Sequence, residues 1–420
     1  MRGICGKAFA TILGAVFKLA LWLRYRVEVR GKKHLVPGRS TLIVSNHKRY
    51  LDMVVLGPAI HFRRGFWPGP RPWFIADEHI FEEGYLCYLW GLPWPLRWLA
   101  FRLVIARFVR ALRAYPMYKI AAARVGMVLR QLQVYYGDLR LVEVLRPQAL
   151  DRLAKQAGQS RESLQGKRVH EVLRFRYRRL LELRWEAGMA LDSYCRRLRS
   201  TQTDVCRKQL EFFASLLKRG ETLFVAAEGD LSPDGRLGRL KGGLYRVVHQ
   251  ANTSVLVQPV SVVYDFMALG RKRVIVNFGP ETALPPGLGR RELEAQVRDS
   301  LVRAGVITMS QLGSWYLIQA LGQGQQGTIT EAGMGQALKE RVTVLGRQGF
   351  SLDRQLLSPR TFQRRLRAFL RYCQQRGLLH LQGQGIYSID REAVLHPGDR
   401  EKNPVHYCYN EYLSLVPSLA

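Results

Sequence analysis

The chain is poor in acidic residues, poor in cysteine and without a long uninterrupted apolar run. Asp and Glu number 33 against 65 Lys and Arg in 420 residues, a formal charge of +32, with a pI of about 10.5. Such an imbalance calls for an anionic partner: nucleic acid, an anionic lipid surface, or phosphorylated or acidic-carrier substrates. The six cysteines (Cys5, Cys87, Cys195, Cys206, Cys373, Cys408) are scattered with no C-x-x-C pair. That spacing points to neither a zinc site nor a disulfide framework, and it suits a reducing cytosolic setting. The apolar stretch Ala8 to Leu23 is interrupted by Lys18 and followed by Arg24 and Arg26, with no small-residue cleavage site after it. It is too short for a spanning helix and unlike a signal peptide. The expectation is an interfacial helix over residues 1–26, with Lys7, Lys18, Arg24 and Arg26 near lipid phosphates; a helix docked on the protein's own core is the competing reading.

What is present is an alternation of strand and helix patterns. Val27–Gly31, Thr41–Val44, Leu223–Ala227, Val255–Val263 and Arg273–Phe278 read as strands, and the segments between them carry helical periodicity. This is an α/β pattern, although the strand order is not legible in it. At 420 residues the chain exceeds one ordinary core of about 100–200 residues, so more than one unit is expected.

The stretch Ser45-Asn46-His47-Lys48-Arg49-Tyr50-Leu51-Asp52 lies between the apolar runs Thr41–Val44 and Met53–Leu56. His47 is therefore expected on a strand-to-helix turn, with Asp52 in the first helical turn. A carboxylate placed there accepts the proton of one imidazole nitrogen, fixes the tautomer and leaves the other nitrogen as a general base toward a hydroxyl. The plain alternative is a histidine at a helix N-terminus with an ordinary acidic residue in the first turn. Far downstream, Leu223 to Leu237 holds Glu228-Gly229 at the end of a strand, then Asp234-Gly235-Arg236.

Asn46-His47-x4-Asp52 resembles the first motif of the glycerolipid acyltransferases, the family of glycerol-3-phosphate and 1-acylglycerol-3-phosphate acyltransferases. The Glu228 segment resembles that family's third motif. The resemblance implies a mixed sheet flanked by helices, with His47 and Glu228 at one end of it and an acyltransferase domain over residues 27–289; residues 290–420 read from their own pattern as a separate C-terminal helical domain. The resemblance also implies transfer of an acyl group from acyl-CoA or acyl carrier protein to a hydroxyl of glycerol 3-phosphate or its monoacyl derivative. His47 is then the base, supported by Asp52, and no metal or bound cofactor is required. Tyr50 and the C-terminal extension lean toward glycerol 3-phosphate, and Ser45-Asn46 toward the monoacyl acceptor. Glu228 and Gly229 match the acceptor-binding motif, but Ala227, Asp230 and Leu231 replace its proline, threonine and arginine. Losing that arginine removes a bidentate phosphate ligand, for which Arg236, Arg239 and Lys241 are the candidate substitutes. At the place of the second motif, Arg113 to Ile120, Lys119 is the nearest cation, a point charge and not a fork. Pro259, inside an apolar strand, resembles the fourth motif beside the acyl donor, and it implies an edge or a bulge. The resemblance places the protein at the cytoplasmic face of a membrane.

Other stretches bear less directly on chemistry. Trp73 to Leu112 is rich in aromatics, which suit an interfacial belt, an acyl-chain tunnel or a core. Residues 121–207 read as a basic helical insertion whose stripe Leu173, Tyr177, Leu180, Leu181 fits a membrane-surface helix or a helix packed on the catalytic core. Gly322-Gln323-Gly324-Gln325-Gln326-Gly327 fits G-x-G-x-x-G but follows no strand, and it reads as a connector. Phe362–Gly377 followed by two short strands has the outline of a winged helix. That outline and the net charge support the competing class, a non-enzymatic nucleic-acid-binding protein, but the basic residues are dispersed along the chain, and this reading is disfavoured.

Overall fold

The computed structural model describes residues 2–35, 39–49, 51–62, 71–81, 106–118, 123–186, 188–267, 271–322, 327–396 and 402–416. In chain order the strands described are β1 (Tyr25–Arg30), β2 (Thr41–Ser45), β3 (Trp73–Asp77), β4 (Ala114–Met117), β5 (Thr222–Ala226), β6 (Val255–Asp265), β7 (Lys272–Phe278), β8 (Thr282–Leu284), β9 (Thr328–Thr330), β10 (Leu379–Gly383) and β11 (Ile386–Ile389). The chain divides into two compact units, residues 1–72 with 214–420, and residues 73–213. Residues 290–420 fall in the same unit as β2, the strand that precedes the His47 turn.

In the first unit the strands run β1-β7-β6-β2-β5, with β8 beside β6. β2 is parallel to both β5 and β6, whereas β6 is antiparallel to β7. The carboxyl ends of β2, β5 and β6 therefore share one edge of a mixed α/β sheet. Every residue of β2 is buried, as a parallel strand covered on both faces requires. Leu42, Ile43 and Val44 each contribute roughly 1.5–3 kcal/mol by that burial. β6 is an interior strand, so Pro259 is not on an edge. Its missing N–H falls where β6 changes partner on one side, from β8 at Val255–Val257 to β7 at Val260–Asp265. The Pro259 carbonyl still accepts from the Gly279 N–H at 2.9 Å.

The N-terminal helix Arg2–Arg24 packs one face on the helix Asp52–His61, with Thr11 Oγ1 and His61 Nε2 3.1 Å apart. Its other face leaves Ile12, Val16, Leu19, Trp22 and Leu23 exposed. Among the described residues no helix is long and apolar enough to cross a membrane. Toward the C-terminus, the helix Pro359–Gln375 leads into the hairpin β10–β11, which pairs with β9, so the expected helix and short strands are present.

The C-terminal elements are fastened to the sheet by a buried ion network. Arg273 on β7 donates to Asp353 Oδ1 at 3.1 Å and Oδ2 at 2.5 Å, to Glu28 on β1 at 3.0 Å and to Asp265 at 3.4 Å. Arg30 on β1 adds a bond to Asp353 at 3.2 Å, and Arg365 from the helix Pro359–Gln375 reaches Asp265. The side chains of Asp265 and Asp353 are fully buried. Burial alone raises the Asp353 carboxyl, but the hydrogen bond and charge of Arg273 outweigh it and hold the group below its ordinary value.

The second unit pairs β3 with β4 in parallel and stacks Tyr115 on Phe212 with centroids 4.2 Å apart. Its helical part has its own core, in which Tyr177, Leu180 and Leu181 are buried with Leu129, Leu150 and Val172. The apolar stripe expected to face a membrane or the catalytic core thus closes the insertion on itself. A repeat not seen in the sequence lies here: Arg140-Leu141-Val142-Glu143-Val144 and Arg168-Val169-His170-Glu171-Val172 pair antiparallel at Arg140 and Arg168. In each copy the glutamate caps its own helix start, at 2.8 and 2.7 Å. Of the aromatic stretch, residues 82–105 lie outside the described residues, as do Lys119 and 323–326.

Because the Asp353 carboxyl is held low, its stabilisation is complete above the ordinary value of 3.8 and is lost as pH falls through the lower folded value. Asp353→Asn is expected to cost about 3–5 kcal/mol at pH 7, since it leaves Arg273 buried and short of a counter-charge. It should also flatten the acid decline measured by denaturant unfolding between pH 7 and pH 3. Equal midpoints for the two proteins at pH 7 would refute this.

Candidate active site

The site is built where β2 ends. Asn46, 8 % exposed, continues the edge of β6 past the end of the strand: its amide donates to the Val262 carbonyl at 3.0 Å and its carbonyl accepts the Val262 N–H at 2.8 Å. This two-way bond pins the chain just before His47. The helix then begins at Asp52, after a turn whose N–H groups at Lys48 and Arg49 both point at the Asp52 carboxylate.

Asp52 is 2 % exposed and accepts from every side. Oδ2 takes the His47 Nδ1–H at 2.9 Å, the Lys48 N–H at 2.6 Å and the Arg49 N–H at 2.9 Å. Oδ1 takes the Tyr264 hydroxyl at 2.6 Å. Donors of this kind fix a carboxylate in place. As the carboxylate is acceptor-only, the shared proton sits on Nδ1 and His47 Nε2 keeps its lone pair. The His47 side chain is 20 % exposed, so a substrate hydroxyl can reach it. Burial, and then the neighbouring Asp52 charge and bond, push the Tyr264 hydroxyl far above its ordinary value, which keeps it a donor. The Arg49 guanidinium lies over the Tyr264 ring, 4.5 Å from its centroid.

Glu228 follows β5 on the same edge. Its Oε2 accepts the His47 N–H at 2.8 Å and its Oε1 the Gly238 N–H at 2.7 Å. The Ser232 N–H returns to the His47 carbonyl at 3.0 Å. The glutamate thus clips the His47 backbone to the 228–241 loop. Gly229 turns that loop at φ +67°, where a Cβ would stand 2.7 Å from Lys241 Cγ.

The structure therefore brings His47, Asp52 and Glu228 together, with Gly229 in the turn beside them. The cationic candidates are exposed: Arg236 lies 3.6 Å from Asp234, Lys241 lies 2.5 Å from Asp230, and Arg239 faces solvent. Pro259 is buried in mid-strand opposite Val44. Sequence reasoning passed over Tyr264, Asn46 in its stitching role, and Lys48. The available signal for Tyr264 was a Tyr-Asp pair ending an otherwise apolar strand.

Tyr264→Phe removes one of the donors to Asp52 and leaves an oxygen of a buried carboxylate short of a partner. The expected loss is about 1.5–3 kcal/mol by denaturant unfolding; a loss under a few tenths would show that the hydroxyl does not support the carboxylate.

Residues 26–90 match the family model described as Acyltransferase. Comparison with curated proteins found no match. Among solved structures, the chain is similar to the 1-acyl-sn-glycerophosphate (LPA) acyltransferase PlsC from Thermotoga maritima, at 16 % identity and a TM-score of 0.36, over 72 % of this chain and 81 % of that one. His47 and Asp52 both lie inside the segment that matches this model.

Proposed function

We propose that the chain is a membrane-associated O-acyltransferase that moves a fatty acyl group from a thioester, acyl-CoA or acyl carrier protein, to a hydroxyl of a glycerophosphate-type acceptor, glycerol 3-phosphate or its 1-acyl derivative. The observation that carries the reading is the His47–Asp52 pair at 2.9 Å, with the carboxylate buried and the imidazole open, inside the segment that matches the Acyltransferase model.

In this mechanism His47 Nε2 removes the proton of the acceptor hydroxyl as its oxygen attacks the thioester carbonyl carbon. The C–O bond forms, the C–S bond breaks, and the departing thiolate takes the proton back from the imidazolium. Asp52 holds the ring in its tautomer and balances the transient positive charge. Tyr264 and the two backbone N–H groups keep Asp52 from rotating away. No step calls for a metal. The excess of basic residues favours anionic substrates and an anionic lipid surface.

The membrane part of the proposal draws on the N-terminal helix. Ile12, Val16, Leu19 and Leu23 recur at spacings of four, three and four, and all are more than half exposed together with Trp22. One helix face of this kind lies flat in a bilayer interface. We place it at the cytoplasmic face.

A second reading concerns the acceptor alone. Lys241 already lies beside Asp230 and Arg236 beside Asp234, so phosphate must compete with carboxylates for these cations. That favours another lysolipid or a phosphate-free acceptor.

The test is product analysis by mass spectrometry with protein on liposomes, oleoyl-CoA or oleoyl carrier protein, and glycerol 3-phosphate, lysophosphatidate, lysophosphatidylcholine and monoacylglycerol offered in parallel. Transfer is expected, falling by about 10²–10⁴ in His47→Ala, the range of a lost general base. Tyr264→Phe should lower kcat while leaving KM nearly unchanged. Preference for lysophosphatidylcholine or monoacylglycerol would select the second reading, and absence of transfer from folded, liposome-bound protein would reject both.

A further inference from the structure

The 228–241 loop carries no helix or strand of its own, yet it must hold Glu228 against the His47 backbone. Besides its own internal bonds, side chains from elsewhere in the same unit brace it. Arg298, in the helix Arg290–Ala304, donates to the Leu237 carbonyl at 3.2 Å and the Gly238 carbonyl at 2.7 Å. Further fixings come from the helix Pro404–Leu415. Asn410 Nδ2 donates to the Asp234 carbonyl at 3.0 Å, and Ser414 Oγ accepts the Leu237 N–H at 3.0 Å. Gly235, at φ +91°, lies so close to this helix that a Cβ there would stand 2.2 Å from the Tyr407 carbonyl oxygen.

Lys48 joins this loop to the His47 turn. Its backbone N–H is one of the donors to Asp52, while its ammonium donates to the Gly235 carbonyl at 2.7 Å and lies 3.5 Å from Glu411 Oε1. The two side chains of that ion pair are only 8 % and 7 % exposed. A buried pair fixes geometry because neither charge has water to turn to. Burial pushes the Glu411 carboxyl up and the Lys48 charge opposes the rise, as a desolvated ion pair requires. The helix is itself held: Arg341 Nε donates to the Tyr412 hydroxyl at 2.7 Å and Asn403 caps the first turn at 2.9 Å.

We propose that the helix Pro404–Leu415 is a positioning element of the acyl-transfer site: Asn410 and Ser414 set the loop that carries the acceptor-side residues, and Glu411, through Lys48, sets the backbone beside His47. The inference rests on the acyl-transfer reading. It assigns a role to the C-terminal stretch, a part of the chain outside the family-matched segment. None of the three residues touches the reacting atoms.

Two measurements on the full chain test it. Hydrogen–deuterium exchange should show amides of 232–238 opening about 2–10-fold faster in Asn410→Ala and Ser414→Ala, the factor of one lost hydrogen bond. The helix Pro147–Ala157 should be unchanged. Steady-state kinetics with oleoyl-CoA and the acceptor found by product analysis should then separate the effects. Ser414→Ala is expected to raise the acceptor KM several-fold without moving the donor KM. Glu411→Gln is expected to lower kcat, and Lys48→Met with Glu411→Gln should be no worse than the poorer single variant, because the two act as a pair. If Glu411→Gln does not fold, Asn410→Ala and Ser414→Ala decide the matter. Unchanged exchange in 232–238, or faster exchange spread evenly over the unit, would overturn the proposal. His47→Ala run alongside keeps the two failures apart: transfer that survives it removes the acyl-transfer reading, whereas exchange still reports whether the helix braces the loop.

Discussion

A single buried carboxylate organises this site. Asp52 draws the His47 ring, the Lys48 and Arg49 N–H groups and the Tyr264 hydroxyl onto two oxygens. Those donors come from the turn after β2 and from the end of β6, so the carboxylate is also where two parallel strands are locked at their shared edge. Such an arrangement needs the sheet to be complete, since a desolvated carboxylate missing donors costs several kcal/mol. The geometry of the site and folding are consequently coupled at one residue.

The same logic recurs on the far side of β6. Asp265 and Asp353 are buried carboxylates supplied with guanidinium groups by Arg273, Arg30 and Arg365. This network ties β1, β6 and β7 to the helix Pro359–Gln375, just as Lys48 and Glu411 tie the His47 turn to the helix Pro404–Leu415. Buried ion pairs of this sort specify which surfaces meet more than they add net stability. Here they make the C-terminal stretch part of the unit that holds the site.

Much of the centre of the site was legible because its signals are local. An apolar β-branched run, a four-residue turn and a carboxylate at the helix start define the His47 segment within about a dozen positions. Glu228 was legible for the same reason, at the end of its own strand. Tyr264 was not: its hydroxyl meets Asp52 across 212 residues of sequence, and only the pairing of β2 with β6 brings them together. Glu411 is equally mute, one acidic residue in an aromatic helix, until Lys48 is found beside it. Pro259 misled because a proline in a strand signals an edge only if its strand keeps one partner along that side, and β6 changes partner there. The Tyr177–Leu181 stripe misled because amphipathicity shows that a helix covers something apolar but not what, and the insertion had a core of its own.

The central claim is that Asp52 fixes the tautomer of His47 so that Nε2 is the open, basic nitrogen. The most direct measurement is the pair of ¹⁵N chemical shifts of the His47 ring in labelled protein above the pH at which the ring is protonated. A protonated Nδ1 with a bare Nε2, converting to a mixture in Asp52→Asn, is the predicted result. A proton on Nε2 in the wild-type protein would contradict it, because that nitrogen could not then accept the proton of an incoming hydroxyl.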